Sequence, residues 1–135
     1  MGSEQTRRVI ERLYEAFLSG DAEGMLAVFS DDIELSFLGQ GTMHGIAEAR
    51  AFFNHAAEQL TDLEFDRKQT IIDGSYAAVI WTETARTKAG APWVNHGVDV
   101  FEVRDEVIVS LHQNNDVRLV REHFETFQSE RGDET

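Results

Sequence analysis

Cysteine is absent from the 135 residues, which excludes disulfides, thiolate metal sites and a cysteine nucleophile. The chain is compatible with a reducing cytoplasm, the compartment expected for it. Positive charge is scarce: 12 Lys and Arg stand against 25 Asp and Glu, a formal net charge of −13. Such a chain repels phosphate backbones and anionic headgroups, so nucleic acid is not an expected partner. Long apolar runs are missing too. None approaches the roughly 20 residues that span a bilayer, and Met1-Gly2-Ser3-Glu4 lacks the apolar core of a signal peptide, so no membrane is expected either. There is no Gly-rich phosphate loop, no recognisable Ser-His-Asp arrangement and no His-Glu-x-x-His spacing. His44, His55, His96, His112 and His123 are scattered, and no metal site is expected from them.

What is present is an ordinary globular composition, 41% hydrophobic and 27% charged, in a length that suits one domain. Residues 1–128 are expected to form it, and Ser129 to Thr135, polar throughout, to be a disordered tail. Val9, Ile10, Leu13, Tyr14 and Phe17 recur at helical spacing before Gly20, a C-cap signal. Asp21 can cap a short second helix carrying Met25, Leu26, Val28 and Phe29. Ile33, Leu35 and Phe37 alternate as in a half-buried strand, residues 39–45 read as a loop, and Ile46 to Leu60 return to helical spacing. Four strands follow, over Leu63 to Ile72, Ser75 to Thr87, Trp93 to Val103 and Glu106 to Asn115, with turns at Asp73-Gly74, residues 88–92 and Arg104-Asp105. Val117, Val120, Phe124 and Phe127 suggest a last short helix. Helices first and an antiparallel meander afterwards predict an α+β domain, with helices packed on one face of a bent sheet.

Three stretches, residues 14–21 (YEAFLSGD), 28–34 (VFSDDIE) and 98–103 (VDVFEV), resemble the SnoaL-like and ketosteroid-isomerase-like members of the nuclear transport factor 2-like superfamily. Asn114-Asn115-Asp116 resembles the family's end to the last strand, and together the motifs cover nearly the whole chain in order. The resemblance implies a cone: a curved antiparallel sheet wrapped over three N-terminal helices, in the cystatin-like manner, around a pocket for a small apolar molecule. It also implies a homodimer through the sheet and no cofactor.

The isomerases' general-base position falls here on Phe37, so that base is missing. Their late-strand Asp, which pairs with a Tyr as an oxyanion hole, matches Asp99; that arrangement is a worked example of a carboxylic acid kept neutral by its site. The Tyr position falls on Leu13, leaving Tyr14, about a quarter turn away, as the candidate donor. The catalytic positions of the similar limonene epoxide hydrolases fall on Thr84, Arg86 and Gln113, without a carboxylate, and the acid/base pair of the SnoaL-like cyclases has His96, Asp99, His112 and Asp116 to draw on.

Strand alternation places Asp99 with Phe101 and Val103, neighbours that desolvate a carboxylate and suit it to acid/base work. Gln113 and Asn115, with Leu111, are expected to line the pocket from the last strand, and Phe37 and Phe52 to enclose it. By the family alignment, Ile80, Thr82, Thr84 and Arg86 form the lining face of their strand, with Arg86 available to Asp99 or to a ligand carboxylate. Two functions follow as expectations. One is an isomerase, cyclase or dehydratase acting on an enone or polyketide-like substrate, with Asp99, Tyr14, Gln113 and Asn115 as its machinery. The other is a non-catalytic binding or dimerisation module of the same fold, which Phe37 in the base position suggests.

Overall fold

The computed structural model describes residues 2–127, so Gln128 and the polar tail beyond it lie outside the described residues. Helix α1 (Ser3–Leu18) buries Val9, Ile10, Leu13 and Tyr14 as one stripe. Gly20, at φ 74, ends it: the Gly20 and Asp21 amides turn back onto the Phe17 and Ala16 carbonyls, a closure that favours a residue without Cβ. Asp21 then caps α2 (Ala22–Leu26) by accepting from the Gly24 amide at 2.9 Å. Here sequence and structure part, because Phe29 already opens strand β1 (Phe29–Phe37) and pairs with β6, so the second helix is shorter than expected. The expected loop after Phe37 contains strand β2 (Gly41–His44), folded back on β1. Helix α3 (Ile46–Gln59) follows, with Ala49 and Phe52 buried.

Strands β3 (Leu60–Asp73), β4 (Tyr76–Thr87), β5 (Pro92–Arg104) and β6 (Val107–Asn114) form the meander, and α4 (Val117–His123) closes the described chain, capped by Asp116. The six strands lie in the order β2-β1-β6-β5-β4-β3, antiparallel at every junction except β1 with β6, which is parallel. Between β1 and β6 the chain runs through β2, α3 and the first three strands of the meander, and it brings β6 back alongside β1 in the same sense. The curved sheet turns one face to the helices, and along that face lie Val79, Trp81, Phe101, Val103 and Leu111, all buried. Among the described residues no helix is long and apolar enough to cross a membrane.

One register positions everything that follows. Antiparallel pairing puts Val79 opposite Asp99, Trp81 opposite Gly97 and Glu83 opposite Asn95, while Asp99 stands opposite Gln113, and Gln113 beside Phe37 in the parallel pair. Phe37, Gln113, Asp99 and Val79 therefore form one row across four strands on the helix-facing side.

Candidate functional site

Asp99 is 3% exposed, and both of its carboxylate oxygens are occupied. Tyr14 Oη donates to Oδ2 at 2.6 Å and Trp81 Nε1 donates to Oδ1 at 2.9 Å. The tyrosine arrives from α1, its ring stacked on Phe65 with centroids 5.9 Å apart. The expected quarter-turn displacement of Tyr14 is thus corrected: its hydroxyl reaches the carboxylate, while Leu13 lines the same cavity. The indole arrives by a different device. Gly97 has no side chain, and a Cβ built there would overlap the Trp81 ring and the Asn114 carbonyl oxygen, so the bare backbone of β5 is what lets the ring lie across it.

Burial pushes the Asp99 carboxyl up to about 6 from an ordinary 3.8; the Tyr14 and Trp81 donors oppose this by favouring the charged form, and nearby Glu83 adds to it. Burial, with the negative field of Asp99, moves the Tyr14 hydroxyl upward as well. Since the folded protein holds this proton more tightly than the unfolded chain, the stability contributed by protonated Asp99 is complete below about 3.8 and is lost as pH rises through about 6. Compared with Asp99→Asn, the wild type is expected to lose on the order of 2 kcal/mol between about pH 4 and about pH 7. Urea unfolding of both proteins at the two pH values measures that difference, and a constant difference would contradict the placement.

The carboxylate faces a cavity of about 440 Å³ enclosed by α1, α2, α3 and the inner sheet face. Phe37, Phe52, Phe65, Leu111 and Phe124 supply apolar wall, with Gln113 beside Asp99. The Gln113 Oε1 atom is buried without a hydrogen-bond partner. Such a volume suits a small organic molecule.

Several expected lining residues lie elsewhere. Ile80, Thr82, Thr84 and Arg86 project from the outer face of β4, and Arg86 donates to the Gly90 carbonyl at 3.2 Å rather than meeting Asp99. The physical reason is register: the loop after β4 reverses about Ala89, so residues equally spaced from it face each other, and Asp99 shares its face with Val79, Trp81 and Glu83. Asn115 lies past the end of β6 and donates to the Leu38 and Gln113 carbonyls, outside the cavity wall. The sequence reading named neither Glu83 nor Trp81 as a lining residue. Both follow from counting outward from Ala89. His112 bonds Glu34 at 2.9 Å on the outer face, away from Asp99. Among the described residues no three His, Cys, Asp or Glu come together in a way that could hold a metal ion.

Residues 10–111 match the profile of the SnoaL-like domain. Solved structures of similar shape include a nuclear transport factor 2-like protein from Burkholderia xenovorans LB400, 22% identical, with a TM-score of 0.78 over 93% of this chain and 99% of that one. A nuclear transport factor 2-like protein of unknown function from Burkholderia pseudomallei K96243 is 21% identical, with a TM-score of 0.81 over 89% and 97%. A candidate SnoaL-like polyketide cyclase from Jannaschia sp. CCS1 is 16% identical, with a TM-score of 0.81 over 90% and 92%. At these identities the likeness concerns the fold. No curated protein matches the chain.

Proposed function

This chain belongs to the SnoaL-like domain family, and from that premise we propose that it binds a small, largely apolar molecule in the cavity and exchanges a proton with it through Asp99. The observation that carries this is the buried carboxylate held by Tyr14 and Trp81 at the wall of an apolar cavity. A carboxyl pushed up to about 6 works close to neutrality, where an acid/base group is most effective. Isomerisation, aldol-type cyclisation and dehydration of an enone or polyketide-like substrate each pass through an enolate, and a site shielded from water stabilises one. Gln113, with a buried unpartnered oxygen in the row beside Asp99, orients the substrate. Phe37, in the position where the similar isomerases hold a base, encloses it. Dependence of turnover on the Asp99 carboxyl tests the reading; a non-catalytic receptor, the other expected function, predicts binding without turnover.

The outer sheet face supports a second expectation, pairing of two copies. Ile71, Ala78 and Val100 form one cross-strand row there and Ile80 stands beside Val98, with Val94 56% and Val100 40% exposed. Sedimentation is expected to find a dimer that Val100→Glu converts to monomer by burying a charge at its centre. A wild type that sediments as a monomer at micromolar concentration contradicts it.

A further inference from the structure

Asp99 is not the only carboxylate on the cavity wall. Glu83 lines it from the same face of β4 as Trp81, and among the described residues the titratable side chains of that wall are Tyr14, Asp62, Glu83 and Asp99, with no Lys, Arg or His. Arg67 lies over the Tyr14 ring at 4.8 Å and is held at both ends by Glu11. The aromatic donors are spent inside the wall: Tyr14 and Trp81 on Asp99, and Trp93 Nε1 on Glu83 Oε2 at 3.0 Å. A carboxylate offers about four lone-pair sites, so each acid retains acceptor capacity beyond these bonds. The buried, unpartnered Gln113 Oε1 is another acceptor, leaving the Gln113 amide hydrogens and the Thr61 hydroxyl as the side-chain donors of the wall.

Geometry separates the two acids. Glu83 and Asp99 face Asn95 and Val79, so their backbones stand four positions, about 13 Å, apart along the strands with Trp81 between them, while the Glu83 charge still reaches far enough to raise the Asp99 carboxyl. The rings of Phe17, Phe37, Phe52 and Phe65 line the cavity, and aromatic rings favour a neighbouring cation over an anion. The net charge of −13 adds a long-range field of the same preference. Bringing an anionic ligand carboxylate into this wall would place like charges together in a poorly solvated space, with few donors to satisfy it.

We propose that the cavity selects molecules carrying a hydrogen-bond donor of neutral or positive charge, an amine above all, and turns carboxylate-bearing molecules away, with Glu83 holding the donor end. The selection shares with proton exchange at Asp99 only the use of the cavity. A carbonyl-bearing substrate satisfies both when it also carries an amine or hydroxyl.

Three probes of one skeleton test it on the full chain by calorimetry at pH 7.5: 1-naphthylmethylamine, 1-naphthalenemethanol and 1-naphthoate. The amine is expected to bind at least roughly tenfold more tightly than the carboxylate, as a charge-assisted bond against a charge repulsion should. Glu83→Gln is expected to weaken the amine by roughly tenfold while changing the alcohol by less than about threefold. Should that variant not fold, the wild type still decides, because amine affinity must fall as the pH is lowered towards 5 and Glu83 and Asp99, whose carboxyls burial pushes up, gain protons. Failure of the amine to bind, equal binding of amine and naphthoate, or an amine affinity indifferent to both Glu83→Gln and pH overturns the proposal. Since these are binding measurements, they stand apart from any loss of turnover in Asp99→Asn, which concerns the proton exchange alone.

Discussion

Asp99→Asn is expected to lower turnover by roughly a hundredfold or more while leaving the protein folded. The substitution keeps the shape of the side chain. Trp81 Nε1 can still donate to the amide oxygen, and the Tyr14 oxygen can accept from the amide N–H with its own hydrogen turned towards the cavity. What the amide cannot do is take up and return a proton. Loss of turnover with ligand binding retained therefore isolates the proton exchange, and the melting temperature at neutral pH is expected to hold or rise, because a buried charge has been removed. A variant with unchanged turnover would assign the chemistry to another group, and Glu83 is the one to examine next.

Gly97→Ala is expected to damage both fold and site. The added methyl meets the Trp81 ring and, from the other side, the Asn114 carbonyl oxygen of the neighbouring strand. A ring can swing aside, but a strand carbonyl moves only with its sheet, so overpacking on the order of 1–3 kcal/mol and a fall of several degrees in melting temperature follow. The displaced indole withdraws its N–H from Asp99 Oδ1, and the carboxyl, deprived of a donor that favours its charged form, titrates at a higher pH than in the wild type. Gly97 thus acts as a positioning residue through Trp81. The upward displacement of that titration distinguishes it from a glycine that only fills a strand, and a variant as stable as the wild type, with Asp99 unmoved, contradicts the reading.

Much of the fold was legible in the sequence because it rests on local patterns. The α1 stripe, Gly20 and Asp21 as consecutive helix stop and start and the four-strand meander each follow from periodicity or turn chemistry, while the reversal expected at Arg104-Asp105 falls one residue later, at Asp105-Glu106. The short β2 was not legible, since Gly41 to His44 owe their strand geometry to β1 alongside rather than to any alternation of their own. Val28 and Phe29 fit a helical stripe and a strand equally well, and pairing of Phe29 with Ile108 of β6 decided between them.

In the site, Asp99 was found from the family resemblance, and its alternation with Phe101, which depends on one strand alone, placed it on the inward face. The facing strand was read with the opposite parity, exchanging Ile80, Thr82, Thr84 and Arg86 for Val79, Trp81 and Glu83. A strand of 12 residues with apolar side chains on both faces, as Ile80 and Trp81 show, carries no parity of its own, and the centre of its hairpin loop sets it. Tyr14, named as the candidate donor despite a one-residue offset, reaches Asp99 because both Leu13 and Tyr14 are buried on the inward stripe.

The most direct test uses the two tryptophans, which are also the chain's two indole N–H groups: Trp81 bonded to Asp99 and Trp93 bonded to Glu83. In a nitrogen-15 spectrum, with Trp93→Phe to assign the pair, the Trp81 indole signal should shift with a midpoint at about pH 6 as Asp99 gains its proton. A midpoint near the ordinary 3.8, or no response of that indole to pH, would contradict the account of Asp99 as a buried acid/base poised at the wall of a ligand cavity.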